Sequence, residues 1–331
     1  MGRYIVKRLL WMIPVVIGVS LLIMLMLELT PGDPARLMLG NYATDEAVEA
    51  LRVEWGLNDP LIVRFGKYIL NALHGDLGIS YHTKQPVFKE IMDRFPFTLI
   101  LVCISMVIAI VTGIPIGVYA ASHQYTWKDN AAIVGSLFCV SMPNFWFALI
   151  LVQIFATKLG WLPSLFDKSW MGWIMPAIAV AIGYSATIAR QARSSMLEQI
   201  RQDYVTTARA KGQTERKVIY EHALTNALIP VIVVCGAVFG MSLGGAVVAE
   251  TIFSIPGLGN YTLSALTARD YPAVQGSVLF FALLYSLVIL IVDLIFAFVD
   301  PRIRSQYNRK KSRNKTENEK ESGPAAEEET A

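Results

Sequence analysis

The sequence predicts an all-α integral membrane protein of six transmembrane helices, with a small structured outer region after the first span and short helices in one cytoplasmic loop. Of its 331 residues, 54% are hydrophobic and only 17% are charged, which is outside the usual range for a soluble domain of this length. The apolar residues form long runs almost free of charge, and basic residues gather within one loop between two of them. Such a basic excess marks the cytoplasmic side of a membrane.

The net charge and the cysteines bound the possible functions further. A formal net charge of +3 is too small to indicate a nucleic-acid partner. The 3 cysteines, Cys103, Cys139 and Cys235, all lie inside apolar runs. They therefore indicate neither a disulfide framework nor a metal cluster, and we interpret them as packing residues.

Residues 1–29 are predicted to form the first transmembrane helix. Arg3, Lys7 and Arg8 precede an uncharged run at residues 9–27, close to the ~20 residues needed to cross the hydrocarbon. A cleaved secretory signal is the alternative, but its apolar region should be only roughly 7 to 15 residues long and end in a small-x-small cleavage site. We expect an uncleaved anchor with its N-terminus inside.

Residues 30–94 are predicted to form a small extracytoplasmic region. Helical runs at residues 45–55 and 61–73 are bounded by glycine and proline at Gly56, Pro60 and Gly75. Because this region has no cysteine pair, we expect it to hold its shape by packing against the spans.

The permease core, residues 95–300, is predicted to begin with two spans interrupted by proline. Residues 95–122 form span two, which Gly113 and Pro115 can break or kink. Residues 130–157 form span three, with a second kink expected where the run contains Pro143.

Span four is predicted at residues 173–189, where Arg190 ends it on the cytoplasmic side. Trp161, Trp170 and Trp173 stand before it and suit the outer interface, because indole rings prefer headgroup depth.

A charged stretch, residues 203–230, follows span four and overlaps a predicted coupling loop at residues 193–228. Residues 204–211 have helical composition, Gly212 suits the position just past a helix end, and Thr214 can cap a second helix. This pattern predicts helix, tight turn, helix. On charge alone, a solvated loop on the cytoplasmic side is an equally good interpretation.

Span five is predicted to start near Ile229. Gly236, Gly240 and Gly244 recur every four residues and so lie near one face of the helix, where they let another helix come close. Two interpretations of this glycine face remain. It packs against another helix of the same subunit, or it lies near a transport pathway or a second subunit.

Residues 250–275 are predicted to form an outer, scoop-like segment that turns at Pro256, Gly257 and Gly259. Its acids, Glu250 and Asp270, fit either ordinary interface charges or a vestibule that receives substrate.

Span six is predicted at residues 274–299 and contains Asp293. An acid within a span is a functional candidate, but Asp293 stands only about 10 Å from the cytoplasmic end, so we favour a pair with an inner-face Arg or Lys. Residues 301–331, basic and then acidic, are predicted to be a disordered cytoplasmic tail.

The sequence lacks the motifs of several enzymes. It has no G-x-x-x-x-G-K-[ST] phosphate loop, no H-E-x-x-H and no G-x-S-x-G, and its 4 histidines show no metal-ligand spacing. We expect no catalytic residue, no metal site and no cofactor bound by this chain.

Several segments resemble the permease subunits of bacterial ABC importers, and most closely those of the dipeptide, oligopeptide and nickel branch. The matching segments are TTARAKG and HALTNALIP in the charged stretch, TPGDPA and WGLNDPLIVRFGKYILNALHGDLGISY in the outer region, PGLG and ARDYP in the scoop, and VDLIFAFVDPRIR at the end of span six. Thr206 stands where the general signature often has glutamate, and Thr225 where it often has proline.

The resemblance implies that the charged stretch docks on a cytoplasmic ATPase through coupling helices. It assigns this coupling role to Tyr204, Thr207, Ala208, Arg209, Ala210, Lys211, Gly212, His222, Asn226 and Pro230. It also implies a second homologous permease subunit, two ATP-binding subunits that carry ATP and Mg, an external substrate-binding protein, and surrounding membrane lipids. The chain would then be a multi-pass bacterial inner-membrane protein with both termini cytoplasmic.

The expected function is ATP-driven import of di- or oligopeptides. Nickel, glutathione or another small solute is the alternative within the same family. An ion-coupled secondary transporter is the alternative from another class, but it should show buried ionisable residues or internal repeats, and the spans offer only Asp293.

Overall fold

The computed structural model describes residues 2–40 and 42–299, and within these ranges the chain is helical with no strand. In chain order the helices are α1 (Gly2–Leu29), α2 (Pro34–Leu39), α3 (Asp45–Glu54), α4 (Leu61–Leu73), α5 (Val87–Ser122), α6 (Trp127–Ser141), α7 (Asn144–Leu151), α8 (Ile174–Ile200), α9 (Asp203–Ala210), α10 (Glu215–Lys217), α11 (Leu224–Gly245), α12 (Val247–Ile252), α13 (Leu258–Ala268) and α14 (Tyr271–Val299). Single π-helical segments, Val152–Lys158 and Val218–Ala223, follow α7 and α10.

Five helical stretches of the described chain are long and apolar enough to cross a membrane, and a sixth span results if α6 and α7 are counted together. The predicted all-α membrane fold is therefore confirmed. The kink expected at Pro143 is in fact a bend of 98° between α6 and α7. Proline at the start of α7 holds Met142 in an extended conformation, which ends α6.

Helix α5 corrects the prediction for span two. It begins at Val87 and runs without interruption through Pro96, Gly113 and Pro115. Gly113 is a packing position and breaks nothing: a Cβ there would lie 2.6 Å from the carbonyl oxygen of Ser185 on α8. Small residues at such crossings let two membrane helices approach closely.

Two helices extend beyond the limits predicted for their spans. Helix α8 continues past Arg190 to Ile200. One continuous helical stretch, Glu215–Ile252, contains Ile229 and joins α10 to the predicted span five without a break. Prolines such as Pro230 are tolerated inside membrane helices, where neighbouring groups satisfy the freed carbonyl.

The outer region contains the two predicted helices as α3 and α4, together with the unpredicted short helix α2. Asp33 caps α2 by accepting a hydrogen bond from Ala35 N at 3.1 Å, and Pro34 occupies its first turn. The region packs on one apolar cluster that also includes Leu27 of α1 and Leu258, Tyr261 and Tyr271 of the α13–α14 segment.

Helix α14 begins at Tyr271, close to the predicted start of span six. Asp293 forms an ion pair with Arg8 of α1, which confirms the favoured interpretation of this acid as the partner of a basic residue at the same end. The predicted disordered tail, residues 301–331, lies outside the described residues.

Candidate functional site

Helix α9 is held against the ends of three long helices by one apolar face. Val205 is fully buried and Ala208 is buried, and their i, i+3 spacing places them on the same side. They pack in one cluster drawn from α5, α8 and the start of the Glu215–Ile252 stretch, namely Val118, Ala121, Met196, Val218, Ile219, Ala223 and Ala227. The packing of α9 is therefore shared with the ends of these three helices.

The opposite face of α9 is exposed. Among the predicted coupling residues, the ones that point away from the cluster are Tyr204, Thr207, Arg209, Ala210, Lys211 and Gly212. Asn226 and Pro230 are also exposed but lie on α11, while His222 is half-buried in the preceding π-helical segment. The structure thus divides the predicted set into Ala208, which anchors α9, and a group that is free to meet a partner.

The turn after α9 is fixed by polar contacts on both sides of Gly212. Gly212 has φ of +75°, and its N–H donates to Arg209 O at 2.9 Å. The Arg209 guanidinium donates to both carboxylate oxygens of Glu215, at 3.1 and 2.7 Å, and the same hydrogen bonds lower the pKa of Glu215. His222 Nε2 lies 2.5 Å from Gln213 Oε1. Thr214 occupies the predicted cap position but forms no side-chain capping bond.

A buried ion pair that the sequence analysis missed connects α6 to α8. Arg193 Nε and Nη2 donate to Asp129 Oδ1 and Oδ2 at 2.6 and 2.8 Å, and Asp129 also accepts from Tyr125 N at 3.2 Å. Only 2% of the Asp129 side chain is exposed, against 25% for Arg193. The signal in the sequence was an aspartate at the start of an apolar run, because a carboxylate at such a position needs a cation or hydrogen-bond donors if it becomes buried.

The ion pair stands beside a groove between α5, α6 and α8. The groove has a volume of about 410 Å³, and Ala132 and Ala189 line it one turn from Asp129 and Arg193. Its lining is mostly aliphatic, apart from polar positions such as Thr112 and Ser185, whose hydroxyl oxygens lie 2.7 Å apart. The ion pair joins α6, which forms one wall of this groove, to α8. Helix α8 in turn leads directly into the exposed helix α9.

The glycine face of α11 is divided between two environments. A Cβ at Gly236 would lie 2.2 Å from Val292, and one at Gly240 would lie 3.1 Å from Tyr285, so both meet α14 of the same chain. A Cβ at Gly244 would meet nothing within 4 Å. Packing inside the subunit therefore accounts for Gly236 and Gly240, and the pathway or subunit-contact hypothesis stays a prediction.

At the end of the bundle that carries the predicted outer region, three consecutive residues at the start of α14 join two separate segments, residues 27–32 and 80–82. The Arg269 guanidinium donates to the carbonyl oxygen of Gly32 at 2.9 Å. The Asp270 carboxylate accepts from Tyr81 N at 3.0 Å and His82 N at 3.3 Å, and also from the Ser80 hydroxyl. Tyr271 Oη donates to the carbonyl oxygen of Leu27 at 3.0 Å. We call this assembly the outer platform.

The outer platform corrects the interpretation of Asp270. The side chain is buried, so it is neither an exposed interface charge nor a group that faces an open vestibule in this structure. Backbone N–H groups and a hydroxyl donate hydrogen bonds to its carboxylate in place of water. The segments that carried the family resemblance in the outer region, TPGDPA, GISY and ARDYP, meet here.

Glu250 requires the same correction. It is fully buried and accepts from Thr98 Oγ1 at 2.6 Å and from Asn260 N at 2.8 Å. Thr98 Oγ1 in turn accepts from Leu258 N at 2.8 Å. The carboxylate therefore lies at the N-terminus of α13, where backbone donors and the helix dipole stabilise negative charge.

This arrangement explains the glycines of the PGLG turn. A Cβ at Gly257 would lie 2.2 Å from the carboxyl carbon of Glu250, and one at Gly259 would lie 2.6 Å from Val247. We expect Gly257→Ala to displace the carboxylate, leave it short of donors and lower the stability by about 2 kcal/mol. Thermal unfolding of the purified protein checks this, with Gly244→Ala as the matched control. Equal melting temperatures for both variants would contradict it.

Membrane spans packed around a groove, with a short helix exposed beyond their ends, fit the membrane-embedded part of a transport system. The chain belongs to the family of binding-protein-dependent transport system inner membrane components, and it is a permease subunit of an ABC importer. The model of that family matches residues 113–305, and the model of the N-terminal membrane component of such systems matches residues 1–102. It is therefore a multi-pass inner-membrane protein.

Curated relatives cover nearly the whole chain. The "Glutathione transport system permease protein GsiC" of Escherichia coli (strain K12) is 40% identical over 304 residues, which is 92% of this chain and 99% of the relative. A Brucella abortus (strain 2308) protein named "Putative peptide transport system permease protein" is 42% identical over 312 residues, with 92% and 99% covered.

Solved structures share the fold. Two crystal forms of the MetNI methionine ABC transporter in inward-facing conformations match with TM-scores of 0.52 and 0.55 at 18% and 17% identity. The matches cover 63% and 64% of this chain and 96% of the other chain in both cases. The likeness extends to the helical permease fold.

Proposed function

We propose that this chain forms half of the translocation pathway for di- or oligopeptides delivered by an external binding protein, and that cytoplasmic ATPase subunits drive it through residues 203–228. The observation that carries the proposal is α9, which is fixed on one face to three long helices and exposed on the other. The names of the relatives, one for glutathione and one for peptide transport, support a peptide or a related small solute as substrate.

The coupling follows from the way α9 is attached. ATP can drive the cycle only if closure of the ATPase favours either the inward-open or the outward-open state, because a ligand shifts an equilibrium by its differential affinity alone. Shifting the ratio of the two states from 1:99 to 99:1 needs a difference in binding free energy of about 5.5 kcal/mol. Helix α9 must therefore stay packed against the membrane helices when the ATPase binds it. The packing of the buried Val205 and Ala208 supplies most of that attachment, and the exposed Arg209–Glu215 pair adds little to it.

The proposed assembly contains a second homologous permease subunit, two ATP-binding subunits and one substrate-binding protein. ATP and Mg would bind to the ATPase partners, and this chain would bind no cofactor. Both termini and α9 would then be cytoplasmic, with the outer platform on the opposite side toward the binding protein.

Gly212 tests the coupling role. Its φ of +75° suits glycine and is tolerated by asparagine, whereas a β-branched residue is strained there. We expect Gly212→Val to abolish ATP-dependent uptake in the reconstituted complex, with the protein still in the membrane, and Gly212→Asn to keep most of the uptake. Normal transport and coupled ATP hydrolysis in Gly212→Val would refute the role.

The substrate is tested separately with the reconstituted complex and its binding protein. Uptake of a labelled dipeptide should be competed by unlabelled peptides and not by Ni²⁺. Competition by glutathione alone or by Ni²⁺ alone would assign the alternative substrate. ATPase subunits should also co-purify with the chain, and their absence from the isolated complex would contradict the proposed coupling.

A further inference from the structure

Helix α4 has an apolar sector that the rest of the described chain leaves uncovered. Ile62, Leu70 and Leu73 are 81%, 61% and 78% exposed, and Val63 is exposed as well. At 100° per residue, these four side chains and Gly66 fall within one sector roughly 100° wide. Aliphatic groups at this density are costly to leave in water and mark a contact surface.

The other side of α4 attaches it to the outer end of α1. Arg64 Nη1 lies 2.8 Å from Glu28 Oε2, and the Arg64 side chain is mostly buried. Tyr68 and Ala72 pack against the apolar cluster that includes Leu27 and Tyr271. The exposed sector therefore points away from the subunit.

The attachment fixes the depth of α4. The apolar stretch of α1, Arg8–Leu29, has 22 residues and a length of about 33 Å, close to the roughly 30 Å of the hydrocarbon. Glu28 then lies at the edge of the hydrocarbon, beside Arg64. Met24, one turn before Glu28, and Tyr68, one turn after Arg64, line the same cavity. The first half of α4 therefore lies beside the last two turns of α1, at the edge of the hydrocarbon.

We propose that α4 is an interfacial helix whose apolar sector inserts into the bilayer leaflet at the outer end of α1. The sector continues the surface of α1, where Leu22, Leu25 and Leu29 are exposed. Arg64 faces the subunit, so the exposed charge of α4 is Lys67, which lies at the edge of the polar side and pairs with Asp59 at 2.6 Å. An apolar face bordered by an exposed lysine suits the boundary between acyl chains and phosphate groups. The helix thereby holds the outer platform at a fixed height above the membrane.

Nitroxide accessibility in liposomes tests this in the complete importer complex. Ile62→Cys, Leu70→Cys and Leu73→Cys are spin-labelled one at a time in a background that lacks the native cysteines and retains uptake. Lys67→Cys and Asn71→Cys, on the polar side of the same helix, are the matched controls. We expect the three apolar positions to collide more with oxygen than with a water-soluble nickel chelate, and the two controls to show the reverse.

Two results would overturn the proposal. Preferential collision with the nickel chelate at all five positions would place α4 in water. Low collision with both reagents at the apolar positions, relieved when the complex is dissociated into subunits, would show that a protein partner covers the sector.

Discussion

Replacing Ala208 with glutamate is expected to abolish uptake while the protein remains in the membrane. Ala208 is buried among Val118, Val218 and other apolar side chains, with no partner for a carboxylate in that cluster. Burying an unpaired charge costs several kcal/mol, so α9 would lose its packing against α5 and α8. It could then no longer couple the ATPase to the membrane helices. A loss of about 3 kcal/mol in the coupling free energy corresponds to roughly a 100-fold loss in transport rate.

Thr206→Glu is the matched control, because it places the same charge on the exposed side of the same helix. Its uptake should stay within about twofold of the unchanged protein. Both variants are measured for peptide uptake and for ATP hydrolysis in the reconstituted complex. If Ala208→Glu transports normally, α9 is not the element through which the importer is driven.

Replacing Arg193 with alanine is expected to destabilise the protein by about 3 kcal/mol and to uncouple ATP hydrolysis from transport. It would leave Asp129, only 2% exposed, without its cation. Breaking a buried pair typically costs 3–5 kcal/mol, and we take the lower end because 25% of Arg193 is still exposed. The predicted uncoupling follows because α6 would no longer move with α8.

The double variant Asp129→Ala, Arg193→Ala removes the stranded charge and should recover at least half of the lost thermal stability, without recovering transport. Arg190→Ala, an exposed position on the same helix, should change neither property by much. Melting temperature and uptake are compared for all four proteins. An Arg193→Ala protein as stable and active as Arg190→Ala would remove the ion pair from the mechanism.

The sequence predicted well wherever one local pattern decides the outcome. Long uncharged runs predicted the spans, a helical composition followed by glycine predicted α9 and its turn at Gly212, and the depth of Asp293 predicted its basic partner. Boundaries were less accurate. Helix α5 starts at Val87 and α8 continues to Ile200, because polar residues at helix ends gain tertiary partners that composition does not reveal.

The environment of three other acids could not be predicted from the sequence. Glu250, Asp270 and Asp129 all look like candidates for exposed or interfacial charges, yet each is buried and satisfied by donors far away in the chain. The sequence also does not reveal close packing at glycines: Gly113 was expected to break or kink span two, and Gly257 was placed in a turn, but both are positions of close approach.

By itself, the sequence determined that the protein is a helical membrane permease with one loop that resembles an ATPase-coupling segment. Hydrophobicity, charge asymmetry and signature residues are local properties of the chain and can be read without its fold. Only the tertiary structure decided which side of α9 is fixed and which is free, and that Asp129 meets Arg193. The reason is physical: a side chain becomes an anchor or a contact surface according to what packs over it, and its neighbours there come from helices distant in sequence.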